Sequence, residues 1–268
     1  MAERRIANLR PDQILLEMRI LPLAYLPVGP LEWHGPHLPI GCDPINAENA
    51  ALLAAEKTGG LVLPTFYWGT ERERSPEVLN WLGFSEDEWI VGMDFPANSL
   101  PSMYAPEELF ALLIREQLRL AVNFGFRYIM IISGHGAENQ LAVLKRLAAE
   151  FSARGPTRVD MTMPFVTNQA GVMKVGHASL IETSIMQAIH PQTVNLGLLP
   201  PMPQKLLNTD WAIVDFETFL GNPTPDRSVH PEDDPRLATE DKGYQTIQQA
   251  VEQIAARVEA MLVGRKIN

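Results

Sequence analysis

The sequence has a single cysteine, Cys42, among 268 residues. No intrachain disulfide can form, so packing alone must hold the fold, and a reducing, cytoplasmic setting is expected. No run approaches the roughly 20 apolar residues that a membrane helix needs. Met1 to Arg10 is polar and lacks the apolar core of a signal peptide. Positive charge is also scarce. The 22 Lys and Arg face 32 Asp and Glu, a formal charge of −10 that argues against a nucleic-acid surface as the main function. These absences lead to the expectation of a soluble protein without a nucleic-acid or membrane partner.

At this length, and with 46% hydrophobic residues, one large domain spanning residues 1–268 is the economical arrangement. Ile20–Val28 and Arg127–Ile132 are short apolar runs that end at loops rich in Gly and Pro, the pattern of strands buried on both faces. Leu61–Phe66 is a third candidate strand, after an alanine-rich helix around Ile45–Lys57. Helical spacing extends over Pro106–Asn123, Gln140–Ala153, Ser179–Ala188 and Gly243–Leu262. This alternation predicts an α/β fold, a three-layer α/β/α sandwich around a mostly parallel sheet. Gly69–Ala105 and Asn222–Arg236 break the pattern and read as long surface loops.

Three segments carry chemistry. In Glu32-Trp33-His34-Gly35-Pro36-His37-Leu38-Pro39-Ile40-Gly41-Cys42-Asp43, Glu32 and His34 project from one face of an extended backbone, and Asp43 can fold back over it. Two carboxylates and an imidazole suit Zn²⁺, Mn²⁺ or Fe²⁺. The same residues would equally serve a hydrogen-bonded loop. In Ser133-Gly134-His135-Gly136-Ala137-Glu138-Asn139, a histidine sits just past the carboxyl end of a strand, where open α/β sheets bind ligands. The Gly134-x-Gly136-x-x-Asn139 spacing is also a near match to a dinucleotide loop, which leaves a non-catalytic nucleotide-binding protein as an alternative. In His177-Ala178-Ser179-Leu180-Ile181-Glu182, a histidine precedes a helix that carries a glutamate in its first turns. His190 and His230 have no ligand-spaced partner nearby and read as structural or surface residues. Trp33, Trp68 and Trp81 are candidates for pocket walls, with buried packing the favoured reading for each.

The first segment resembles the creatininase (creatinine amidohydrolase) family signature Glu-x-His-Gly-x-His-Leu-Pro-x-x-x-Asp. Ser133–Gly136 is similar to the family's second, Asn-Gly-His-containing loop, and His177–Ser184 to its third block. Phe95-Pro96 and Asp234–Thr239 are similar to further family segments. The resemblance implies a creatininase-like fold and a metal-dependent amidohydrolase that acts on carbon–nitrogen bonds other than peptide bonds. Its substrate would be a cyclic or small linear amide, attacked by a hydroxide that bridges two divalent metals, Zn²⁺ or Mn²⁺ with Fe²⁺ as a further option. Glu32, His34, Asp43 and His135 are the implied ligands, with Asp43 bridging. Glu182 is the favoured fifth ligand and Glu138 the alternative. His177 is the implied acid/base catalyst, and a homo-oligomer is the implied assembly. A formamide hydrolase of the same family is a further reading. The chain departs from the family pattern at Trp33, Cys42 and Ser133, and Gly69–Arg74 lacks the histidine that many relatives carry there. These departures leave the ligands in place and bear on the substrate.

Overall fold

The computed structural model describes residues 3–82, 84–96, 98–165, 176–204, 206 and 233–263. Its centre is a sheet of four parallel strands in the order β2-β1-β3-β4. The strands are β1 (Leu23–Val28), β2 (Leu61–Val62), β3 (Tyr128–Ser133) and β4 (Arg158–Thr162). In β1 the side chains of Ala24, Leu26 and Val28 pack on one face of the sheet, and those of Leu23 and Tyr25 on the other. This is the two-residue period of a strand, hidden in the sequence because both sets are apolar.

Helices cover each face, as the alternation of apolar runs predicts. Helices α1 (Pro11–Ile20), α4 (Glu107–Phe124) and α5 (Glu138–Ala153) send Ile14, Phe110, Ile114, Leu118, Val143 and Leu147 into the first core. On the opposite face lie α2 (Cys42–Thr58) and α7 (Glu240–Leu262). The buried stripe of α2 is Ala47, Ala50, Ala51, Ala54 and Ala55, small side chains that let this helix lie close to the strands. Among the described residues, the short α3 (Pro76–Leu82) and α6 (Leu180–Ile189) are the other α-helices, and α6 packs on α7.

Several boundaries differ from the sequence reading. Ile20 ends α1, and the strand begins only after Pro22. Leu61–Phe66 keeps regular pairing only at Leu61–Val62, with a lone bridge from Val28 to Phe66. Pro64 has no N–H to donate, and neither does Pro27 in β1. The Gly69–Ala105 region contains α3 rather than loop alone. Of Asn222–Arg236, residues 222–232 lie outside the described residues, as does His230.

The strand order places a ligand site. The chain passes from β1 to β2 on one side, then returns to lay β3 on the other side of β1. The carboxyl ends of β1 and β3 therefore flank the switch point where open α/β sheets form their crevice.

Candidate metal centre

Glu32 and His34 follow β1, His135 follows β3, Asp43 lies in the first turn of α2, and Glu182 lies in the first turn of α6. A backbone contact brings these elements together. A Cβ built on Gly134 would lie 2.0 Å from the Asp43 carbonyl oxygen, and one on Gly29 would lie 2.9 Å from the Asp43 Cβ. Glycine at both strand ends lets the start of α2 rest against the sheet and points Asp43 between the two loops. This close approach accounts for the glycine that made Gly134–Asn139 look like a nucleotide loop.

The side chains converge. His34 Nε2 lies 3.1 Å from Asp43 Oδ1 and 3.8 Å from Glu182 Oε2. His135 Nδ1 lies 3.1 Å from Glu32 Oε2 and 3.2 Å from Asp43 Oδ2. Among the described residues, three sets bring their potential ligand atoms within 4.8 Å of one another: Glu32, Asp43 and His135; His34, Asp43 and Glu182; and Glu32, His34 and His177. All but His177 are buried, and His177 is partly so. Donor atoms sharing one cation at bond lengths near 2.1 Å stand roughly 3.0–3.4 Å apart, the spacing of the His34–Asp43, His135–Asp43 and His135–Glu32 pairs, while His34–Glu182 is wider. His34 Nε2 and Asp43 Oδ2 are buried without a hydrogen-bond partner although each lies within 3.2 Å of an opposite ion-pairing atom. They aim at common points rather than at each other, so the donor set fits a divalent metal.

Neighbouring groups orient these side chains. His34 Nδ1 lies 3.0 Å from the Glu32 carbonyl oxygen; as the N–H donor there, it leaves Nε2 free toward the carboxylates. The Tyr104 hydroxyl donates to Glu32 Oε1, leaving Oε2 for the centre, and its ring lies 6.0 Å from that of His135. The backbone N–H of Ala178 donates to Glu182 Oε2 at 2.5 Å. Ala178 reaches this position at φ +47°, a left-handed conformation costly for a residue with a Cβ. Ser133 Oγ donates to the His135 carbonyl (2.7 Å) and accepts from Gln140 Nε2 (3.0 Å), holding the second loop.

The electrostatics reflect this crowding. Burial opposes a charge on His34, yet Asp43, Glu182 and Glu32 push its pKa up to about 10. Burial also disfavours the carboxylate form of Asp43, but His34 and His135 hold its pKa far below the usual range. Glu182 is pushed up to about 8, by burial first and by Asp43 and Glu32 next, against the pull of His34. His177 is lowered to about 4 by burial and by His34.

The other residues singled out by sequence lie around this cluster or away from it. His177 Nε2 lies 2.6 Å from the Trp33 carbonyl oxygen, and its Nδ1 lies 3.7 Å from Glu32 Oε2. Glu138 lies outside the cluster, exposed on the wall of a cleft of about 530 Å³ whose floor holds Glu32, Asp43, His135 and Glu182. Trp33 packs beside Leu79, Ile90 and Phe95, Trp68 is half-exposed, and neither lines that cleft. The Trp81 side chain lies outside the description. His190 lies 3.1 Å from Gln192 Nε2, away from the centre. Tyr104 and His37 were not assigned roles from sequence. Buried His37 bonds Thr183 Oγ1 through Nε2 at 3.0 Å, tying the first motif to the helix that carries Glu182.

Solved structures share this fold. A creatininase (creatinine amidohydrolase) structure is 19% identical, with a TM-score of 0.67 over 99% of this chain and 100% of its own. A creatininase variant of Zn–Zn type is also 19% identical, with a TM-score of 0.67 over 98% of this chain and 100% of its own. A manganese form of creatininase is 18% identical, with a TM-score of 0.66 and the same coverage. No curated protein sequence gives a significant match. Residues 16–258 match the profile of the family described as creatinine amidohydrolase, and on that match the chain belongs to the creatininase family.

Proposed function

We propose that the chain is an amidohydrolase with two divalent cations at this centre. Glu32, Asp43 and His135 would hold one cation, and His34, Asp43 and Glu182 the other. The carrying observation is that two buried three-residue ligand sets meet on the two oxygens of Asp43, Oδ1 facing His34 and Oδ2 facing His135. Mixed imidazole and carboxylate donors suit Zn²⁺, Mn²⁺ and Fe²⁺. The Zn–Zn and manganese forms of creatininase support the first two. Cations held there would supply Lewis acidity, polarising a carbonyl and lowering the pKa of a water from 15.7 toward about 7.

The remaining steps fall to the chain. The cleft is of a size for one small molecule, and Met93, Phe165 and Val78 give it apolar wall. His177 is fixed by the Trp33 carbonyl, so Nδ1 is its free nitrogen and faces the Glu32 side of the cleft. With its pKa lowered to about 4 by burial and His34, that nitrogen is unprotonated at neutral pH and is placed to take the proton that the attacking water gives up. It then delivers the proton to the departing nitrogen, because an amide anion is too poor a leaving group to depart unassisted. The substrate is a cyclic or small linear amide.

The test is turnover by metal-loaded protein across a panel of cyclic amides, linear amides and formamides. Hydrolysis is expected to stop on chelation and to return with Zn²⁺ or Mn²⁺. His177→Gln is expected to lower kcat by about 10²- to 10⁴-fold with metal content retained. A protein that carries two metals yet hydrolyses no amide would overturn this reading.

A further inference from the structure

His177 rests on Trp33, and Trp33 is itself held from behind. Its carbonyl accepts from His177 Nε2, and its N–H donates to Ser102 Oγ at 3.0 Å. Ser102 is buried, and its own N–H donates to Asp94 Oδ1 at 2.6 Å. Burial pushes the pKa of half-buried Asp94 up, and the Ser102 N–H and hydroxyl, both bonded to its carboxylate, pull against that rise. With its hydrogen directed to Asp94, the Ser102 hydroxyl turns a lone pair to the Trp33 N–H. Ser102 and Tyr104 stand two positions apart and both point inward, while Met103 between them is 62% exposed. The Met103 N–H donates to the Leu31 carbonyl at 2.7 Å. The Tyr104 hydroxyl accepts from the Met93 N–H at 3.2 Å and donates to Glu32 Oε1. Ser102, Met103 and Tyr104 thus each give one hydrogen bond to the run Leu31–Trp33, and Met93 and Asp94 hold them in place.

We infer that Ser102, braced by Asp94, is the positioning residue for His177 and acts through the Trp33 backbone, whereas Tyr104 two positions later serves Glu32. The inference rests on the acid/base reading of His177 above and assigns its support. Neither Ser102 nor Asp94 lines the cleft, so neither touches a substrate. Without the Ser102 oxygen the Trp33 N–H loses its acceptor, and the backbone that presents the Trp33 carbonyl is no longer pinned. His177 then loses its fixed tether at Nε2, and Nδ1 no longer meets the departing nitrogen at a set distance. A misplaced proton donor is felt in the transition state and not in substrate binding, so the effect falls on kcat. One segment therefore supports two tasks through separate side chains, and substitution can separate them.

The experiment compares Ser102→Ala, Ser102→Thr and Tyr104→Phe with wild type. Ser102→Ala is expected to lower kcat by about 10- to 100-fold, with KM and metal content per chain unchanged. Ser102→Thr keeps the oxygen and is expected to recover most of the rate. Proton NMR reads the same geometry without turnover, with Zn²⁺ or without metal. A His177 Nε2–H held at the Trp33 carbonyl gives a downfield, slowly exchanging signal, identified by its absence in His177→Gln. That signal should vanish in Ser102→Ala, return in Ser102→Thr and persist in Tyr104→Phe, the variant expected to weaken metal binding instead. Because the signal needs no substrate, failure of the amidohydrolase reading and failure of this inference are distinguishable. Asp94→Ala, at a half-buried side chain, is the second variant should Ser102→Ala fold poorly, and a smaller loss of signal and rate is expected there. A signal unchanged in both variants overturns the inference. Loss of metal together with rate in Ser102→Ala also overturns it, since a general loosening of the centre moves both.

Discussion

The floor and the wall of one cleft handle charge in opposite ways. On the floor, Glu32, Asp43 and Glu182 are buried with His34 and His135, and their pKa values are displaced in both directions. Burying so many ionisable groups is costly unless they are paired or bound to metal. On the wall, Glu73, Glu138 and Arg72 stand in solvent, where a single charge changes stability little. The floor groups depend on one another for their charge states, whereas the wall groups act largely alone. Substitutions that cross this boundary show how sharp it is.

The largest effect is expected at Gly134. Its Cβ would meet the Asp43 carbonyl at 2.0 Å, backbone against backbone, so Gly134→Ala must push α2 away from the sheet. A loss of about 2–4 kcal/mol is expected, together with loss of metal binding. Two residues later, Gly136→Ala meets only the flexible end of Met163 at 3.3 Å and is expected to be near neutral. Chemical denaturation of both variants checks the pair, and equal losses would dissolve the contrast between floor and wall.

Tyr104 supports the floor from outside. Tyr104→Phe removes its hydrogen bond to Glu32 and is expected to weaken metal binding by about 10- to 100-fold with little change in the fold. Competition with a metal-sensitive dye measures this, and unchanged affinity would remove Tyr104 from the account.

A pH effect separates metal-free from metal-loaded protein. The folded pKa of His34, about 10, lies above its ordinary 6.5. The stability from its protonated form is therefore complete below about 6.5 and lost as pH rises through 10. The Glu182 value of about 8 exceeds its ordinary 4.5, so the contribution of its neutral form is likewise lost as pH rises through 8. Metal needs both groups deprotonated, so its affinity rises over the same window. The gain in Tm on adding Zn²⁺ should be larger at pH 9 than at pH 6, and an equal gain at both would contradict the electrostatics of the floor.

The smallest effect belongs to the wall. Arg72→Gln gives up an exposed pair with Glu107 and should change stability by no more than about 0.5 kcal/mol, as measured by thermal denaturation.

The sequence made the clustered floor residues legible because they are local. Glu32, His34 and Asp43 fall within one glycine-rich run, and His135 and Glu182 each sit beside a recognisable strand end or helix start. The supports were illegible. Tyr104 meets Glu32 across 72 positions from a segment without periodicity, and His37 meets Thr183 across 146. Helix α1 escaped notice because Leu15, Leu16 and Ile20 face outward, which blurs its amphipathic pattern. The edge strand β4 escaped because only Val159 and Met161 are buried in it.

The most direct test of the central claim is metal content per chain, by elemental analysis, in wild type and in Asp43→Ala. About two divalent ions in the wild type, largely lost in the variant, are predicted because both ligand sets share Asp43. A wild type that takes up no ion when offered Zn²⁺ or Mn²⁺, or a variant that keeps both, would contradict the account.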